Sequence, residues 1–181
     1  MSEPIDARTI VVLADCHIHP AAGIDWPEPA LEAFAGADLF ITLGDMGERQ
    51  GLDALARIAP VIGVSGMDDE PDPRAADKVR LFDVGGVGIG CVFDPVEAGA
   101  AMAKDPLQPV GGGSLHRVFG GPAAVALWAS THKPAIEEAD GVLWINPGSA
   151  TLPSEGEPKS FARLQIENGT ARAEIVRIGP A

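Results

Sequence analysis

Three short segments carry side chains suited to hard divalent cations. In Leu13-Ala14-Asp15-Cys16-His17-Ile18-His19-Pro20, one carboxylate and two imidazoles stand at alternate positions. Gly44-Asp45 adds a second carboxylate, and Thr131-His132 a third imidazole. Carboxylate oxygens and imidazole nitrogens are the donors that Mn²⁺, Zn²⁺ and their neighbours take, held where several loops converge. Singly, each segment is weak: a Gly-Asp pair is commonly a turn, and a lone His after a strand is commonly structural. Together, each directly behind an apolar run, they describe a metal site. Within the first segment two patterns compete, His17-x-His19 and Asp15-x-His17, and they imply different folds and different bond cleavages.

The elements that must carry these residues alternate. Thr9-Ile10-Val11-Val12-Leu13 is β-branched and apolar without alternation, a short strand buried on both faces. A helix is expected near 28–35, opened by Pro27 and Pro29, then a buried strand over 37–45 that ends in Gly44-Asp45. Leu52, Leu55 and Ile58 have helical spacing within 50–59, and 60–66 is a third strand running into the acidic loop Met67-Asp68-Asp69-Glu70. Strand–helix alternation of this kind builds a parallel sheet. The second half differs. Residues 78–94 form two strands joined at Gly85-Gly86, 95–104 a helix, and 106–115 a flexible loop. Further strands cover 123–130 and 141–149, and 160–178 is a hairpin turning at Asn168-Gly169. The chain is therefore expected to hold two packed sheets with helices outside.

Composition narrows the function. The 181 residues suit a single domain spanning 1–181. A (β/α)₈ barrel, to which a His-x-His on the first strand would point in an amidohydrolase-type enzyme, needs roughly 250 residues. With 26 acidic against 13 basic residues the net charge is −13, which argues against nucleic acid and anionic membranes as partners. A phosphate ester stays open as a substrate, because a bound cation supplies local positive charge. The polar N-terminus and the lack of a long apolar run point to a cytoplasmic protein without a membrane span. Cys16 and Cys91 fit a reducing compartment better than a disulfide. Trp128 and Trp144 are expected in the core, His116 on the surface, and Trp26 beside a pocket mouth.

In the order and spacing of six segments the sequence resembles the small calcineurin-like metallophosphoesterases, the compact bacterial and archaeal phosphodiesterase type related to the retromer cargo subunit. "LADCHIHP" stands for the family's Ser-Asp-Thr-His, "ITLGDMG" for Leu-Gly-Asp, and "VSGMDDE" for Arg-Gly-Asn-Cys-Asp. "IGCVFD" stands for a strand ending in His-Gly, "LWASTHKP" for Gly-His-Thr-His-x-Pro, and "INPGSATLP" for Asn-Pro-Gly-Ser. The resemblance covers nearly the whole chain and implies an α/β fold, a four-layer α/β/β/α sandwich of two mixed sheets flanked by helices. It also implies two metals. The ligands of one map onto Asp15, His17, Asp45 and His132, all present, with Asp45 and His132 acting in catalysis through metal-bound water. The other shares the bridging Asp45 but maps its remaining ligands onto Met67, Phe93 and Ser130, none of them a good ligand for a hard cation.

The expectation is one divalent cation, with Mn, Zn, Fe, Ni and Mg not distinguished, and no second metal. His19, Asp68, Asp69 and Ser130 are candidates to compensate or to act from behind the ligands. If the backbone stays extended, His17 and His19 point the same way. The expected function is slow or specialised phosphodiester hydrolysis on a small phosphate ester. The alternative is a catalytically inactive module of the same fold that binds an unknown protein partner.

Overall fold

The structure is a computed structural model that describes residues 4–95, 97–98 and 112–179. Ten strands form two five-stranded sheets. The first contains β1 (Thr9–Leu13), β2 (Leu39–Thr42), β3 (Val61–Gly63), β9 (Ser160–Glu167) and β10 (Thr170–Arg177), in the order β10-β9-β1-β2-β3. The second contains β4 (Val79–Val84), β5 (Val87–Val92), β6 (Val125–Leu127), β7 (Pro134–Ala139) and β8 (Val142–Pro147), in the order β4-β5-β6-β8-β7. Each sheet has a parallel centre: β1, β2 and β3 in one, β5, β6 and β8 in the other. Antiparallel strands finish it, β9 and β10 beside β1, β4 beside β5, and β7 beside β8.

Side-chain alternation explains the layers. Ile10, Val12 and Ile41 from the first sheet meet Ile89, Cys91, Val125, Leu127 and Ile145 from the second in one core between the sheets. Their neighbours Val11, Leu13, Phe40 and Phe161 face the other way, onto α1 (Glu28–Ala33) and α2 (Arg49–Ala56). On the far side, Val92, Ala126, Trp128 and Trp144 pack with Leu115 and Phe119 of α3 (Gly112–Phe119). The order helix, sheet, sheet, helix follows, and the central strands read as unbroken apolar runs because both faces are buried. Cys16 and Cys91 are both free and buried.

Several expectations change. β7 was not anticipated: it begins with Pro134, carries Glu137 and Glu138 in a run with no buried residue, and lies at a sheet edge, where proline and charge are tolerated. The loop expected over 106–115 is helical from Gly112 onward, and its first part lies outside the described residues. The helix expected over 95–104 lies almost wholly outside them. Trp26 is no pocket rim: it is 8 % exposed, stacks edge-on against Phe34, and its indole N–H donates to Gly51 O at 3.0 Å. His116 is exposed on α3, and Trp128 and Trp144 are buried as expected. Asn168 and Gly169 have φ of 51° and 71°, the left-handed pair that a type I′ hairpin turn requires. Among the described residues no helix is long and apolar enough to cross a membrane.

Candidate metal centre

The parallel strands of both sheets end at one edge, and the loops leaving them bring the candidate ligands together. Asp15 follows β1, Asp45 follows β2, Gly66 to Asp69 follow β3, Phe93 follows β5, and Ser130 and His132 follow β6. Ligand crevices form at such carboxyl ends of parallel strands. The backbone marks the place as well. Asp15, His17, Asp45, Ser130 and His132 all have positive φ, between 46° and 75°. Among the described non-glycine residues only Asp140 and Asn168 share this conformation, both in hairpin turns. Left-handed non-glycine residues cost about 1–3 kcal/mol each and persist where the surroundings over-determine them, commonly at functional sites.

Asp15 is fully buried, and its two oxygens differ. Oδ2 accepts from the amides of Ser130 at 3.1 Å and His132 at 3.3 Å. Oδ1 is buried, has no hydrogen-bond partner among the described residues and stands 4.0 Å from His132 Nε2. Burial pushes the Asp15 carboxyl up to about 6, a rise that nearby His132 opposes and Asp45 reinforces. His132 Nδ1 lies 2.6 Å from Leu152 O. A carbonyl only accepts, so Nδ1 carries a proton, and in the neutral ring the Nε2 lone pair faces Asp15. Asp45 Oδ1 accepts from the amides of Met67 at 2.6 Å and Asp68 at 2.9 Å, while Oδ2 lies 3.8 Å from His17 Nε2. The rings of His17 and His132 stack, 5.2 Å between centroids and 13° from parallel.

Two oxygen–nitrogen pairs thus face each other across 3.8 and 4.0 Å, beyond hydrogen-bond reach. An orphaned buried carboxylate oxygen is costly unless something positive meets it, and the O, N, O, N donor set matches what Mn²⁺ or Zn²⁺ takes. The arrangement is somewhat open. Among the described residues no three His, Cys, Asp or Glu side chains are gathered as a finished metal site. Neighbouring ligands on tetrahedral bonds of about 2.1 Å stand about 3.4 Å apart, so each gap would contract by roughly half an ångström on binding.

The three remaining ligand positions suggested by the sequence resemblance look different. Phe93 is 6 % exposed, packed into the core between the sheets. Its ring lies so close to Gly44 that a Cβ there would meet Phe93 Cδ2 at 2.8 Å. Met67 is 77 % exposed, and its amide is what bonds to the site. Ser130 contributes its backbone N–H to Asp15. These residues do not fit a second hard cation.

Behind the candidate ligands lies a set of supports, most of which spacing alone could not identify. The Asp69 carboxylate accepts from four amides: Met46 at 2.6 Å, Gly47 at 3.1 Å, Asp45 at 3.1 Å and Gly66 at 2.6 Å. It ties the loop after β2 to the loop after β3 and is occupied in doing so. A Cβ on Gly66 would be driven into the Asp45 carboxylate and backbone. Ser149 Oγ donates to Asp15 O at 2.7 Å, Thr151 Oγ1 donates to Cys16 O, and Ser154 Oγ donates to Thr131 O at 2.8 Å. Asn146 reaches Thr131 Oγ1 at 3.1 Å. The "NPGSATLP" run is therefore a splint that joins the loops carrying Asp15 and His132. Asp68 Oδ2 lies 2.6 Å from His17 Nδ1 and 2.8 Å from His19 Nε2. His17 is left-handed rather than extended, so the expected parallel aim of His17 and His19 is replaced by a shared carboxylate.

Comparison with known proteins gives the family and the fold. The family model described as the calcineurin-like phosphoesterase superfamily domain matches residues 9–169. The chain belongs to that superfamily. A probable metallophosphoesterase of Methanothermobacter thermautotrophicus is 30 % identical over 172 residues, covering 94 % of this chain and 92 % of the relative. Wild-type Vps29 from Entamoeba histolytica, solved in complex with zinc, shares the calcineurin-like fold with a TM-score of 0.71 at 20 % identity, over 93 % of this chain and 98 % of that one. Vps29 of Chaetomium thermophilum, solved with a cyclic peptide, has a TM-score of 0.63 at 18 % identity, over 95 % of this chain and 96 % of that one.

Proposed function

We propose that this chain is a metal-dependent phosphoesterase acting on phosphodiesters, with one divalent cation held by Asp15, His17, Asp45 and His132. The observation that carries the reading is the orphaned, buried Oδ1 of Asp15, facing a His132 nitrogen whose lone pair is fixed by Leu152. A divalent cation in such a site supplies an acidified water as nucleophile and polarises a phosphoryl oxygen. The chain's own contribution is positional. Two amides anchor one oxygen of Asp45 and two anchor one oxygen of Asp15, so each carboxylate offers its other oxygen in a fixed direction. The site has no second cation partner in Met67, Phe93 and Ser130, and losing one stabilising partner commonly costs about 10²–10³-fold in rate. Slow or specialised turnover is expected. A diester carries one charge where a monoester carries two, which suits an acidic protein with a single cation to offset it.

The test is hydrolysis of a generic aryl phosphodiester by metal-reconstituted protein, wild type against Asp45→Asn. The expected result is metal-dependent turnover that falls at least about 100-fold in the variant. Equal rates would end the catalytic reading. They would favour the second one, a non-catalytic binding module for a protein partner, which the buried Phe93 at a ligand position and the peptide-bound Vps29 fold support.

A further inference from the structure

An imidazole ligates only through a nitrogen without a proton, and which nitrogen that is depends on what the other one bonds. At His132 the backbone decides, since Nδ1 donates to Leu152 O. Among the described residues no carbonyl does this for His17. Its Nδ1 faces the Asp68 carboxylate at 2.6 Å, and the same oxygen is held from the other side by His19 Nε2 at 2.8 Å. We propose that Asp68 is a positioning residue that sets the tautomer and orientation of His17, with His19 as the brace that keeps the Asp68 carboxylate in place.

The inference rests on the one-metal reading for its purpose, although its geometry stands apart from it. A carboxylate accepting from Nδ1–H leaves the Nε2 lone pair of His17 directed at the gap, 3.8 Å from Asp45 Oδ2. Asp68 works on both sides of that gap. Its amide donates to Asp45 Oδ1 at 2.9 Å while its side chain holds His17. One residue therefore fixes two neighbouring ligands, by main chain and by side chain. His19 completes the arrangement: its second nitrogen lies 3.4 Å from Glu48 Oε1, so the ring is held at both ends. Asp68 and His19 are 49 positions apart in sequence, and neither is among the four ligands. Carboxylate–histidine–metal arrangements of this kind orient the ring, raise its basicity, and typically change metal affinity by about 10–100-fold when broken.

The experiment has two arms. In the first, ¹⁵N-resolved imidazole spectra of the metal-free protein are recorded at about pH 8.5, where an ordinary imidazole is neutral. Wild type is expected to carry the His17 proton on Nδ1. Asp68→Ala keeps the amide to Asp45 and removes only the carboxylate, and should shift His17 towards the Nε2-protonated form. His132, fixed by Leu152, should stay Nδ1-protonated in both proteins and serves as the internal control. Asp68→Asn retains an accepting oxygen and should restore the His17 tautomer. In the second arm, calorimetric titration with Zn²⁺ should show Asp68→Ala weakened about 10–100-fold and Asp68→Asn recovering most of the loss. An unchanged His17 tautomer in Asp68→Ala overturns the inference, as does an equal affinity loss in both variants, which would mark a mere charge effect. If wild type binds no zinc, the ligand assignment fails, and the tautomer arm alone still decides the role of Asp68.

Discussion

Replacing Asp69 with asparagine tests the loop architecture under the site. In the native protein the two carboxylate oxygens accept four amides, Met46 and Gly47 on one oxygen, Asp45 and Gly66 on the other. Asparagine keeps one accepting oxygen and puts an NH₂ where the other stood. Whichever way the amide turns, two backbone donors then face a donor, and the remaining two bonds lose their charge assistance. A hydrogen bond to a charged group contributes about 1.5–3 kcal/mol, and bonds within one network do not add fully. A loss of about 3–5 kcal/mol is expected, a large part of the roughly 5–15 kcal/mol that holds a domain together. At about 2–4 °C per kcal/mol for a domain of this size, the melting point should fall by about 6–20 °C. Differential scanning calorimetry of the metal-free protein measures this directly. Metal affinity should fall too, because Asp45 sits on the loop being released. A melting point within about 2 °C of wild type would refute the idea that Asp69 holds the two loops together.

Two further perturbations read other parts of the account. Gly66→Ala places a Cβ against Asp45; Asp45 must shift, with a stability loss of about 1–3 kcal/mol in thermal melts and weaker zinc binding by calorimetry, and unchanged values would deny the close packing. Away from the site, Arg74 donates to Asp72 Oδ1 and Oδ2 at 2.8 and 2.7 Å, holding that carboxyl below the usual range, chiefly through the side-chain bond. A depressed folded-state value contributes stability that is complete above the unfolded value near 3.9 and disappears as pH falls through the lower folded value. Urea unfolding should therefore show Arg74→Gln less stable than wild type at neutral pH, with the difference narrowing on acidification below about pH 4. A difference that stays constant with pH would remove the linkage.

Much of the fold was legible because buried parallel strands are apolar on both faces. Thr9 to Leu13 and the strand before Gly44-Asp45 announce themselves, and the hairpin at Asn168-Gly169 is written in its turn residues. β7 was not legible, since an edge strand that opens with proline and carries two glutamates has the composition of a loop. α3 was hidden by the glycines at its start. Trp26 was misplaced because nothing in its neighbours shows that Gly51 O lies behind it. The candidate ligands Asp15, His17, Asp45 and His132 stand out at strand ends, and the family resemblance is what gathers them into one set. His19, Asp68 and Asp69 stand out as candidates beside the site, but what each one holds is not legible: Asp69, Ser149 and Thr151 act through backbone groups of distant loops, and the Asp68–His17–His19 contact comes with left-handed backbone at His17.

The proposed site holds one cation per chain, bound by Asp15, His17, Asp45 and His132. Elemental analysis after reconstitution with Mn²⁺ or Zn²⁺ and removal of loosely held ions tests it most directly, with His132→Ala beside wild type. About one equivalent per wild-type chain and a clear loss in the variant are expected. Two equivalents in wild type, or less than about half of one, would contradict it.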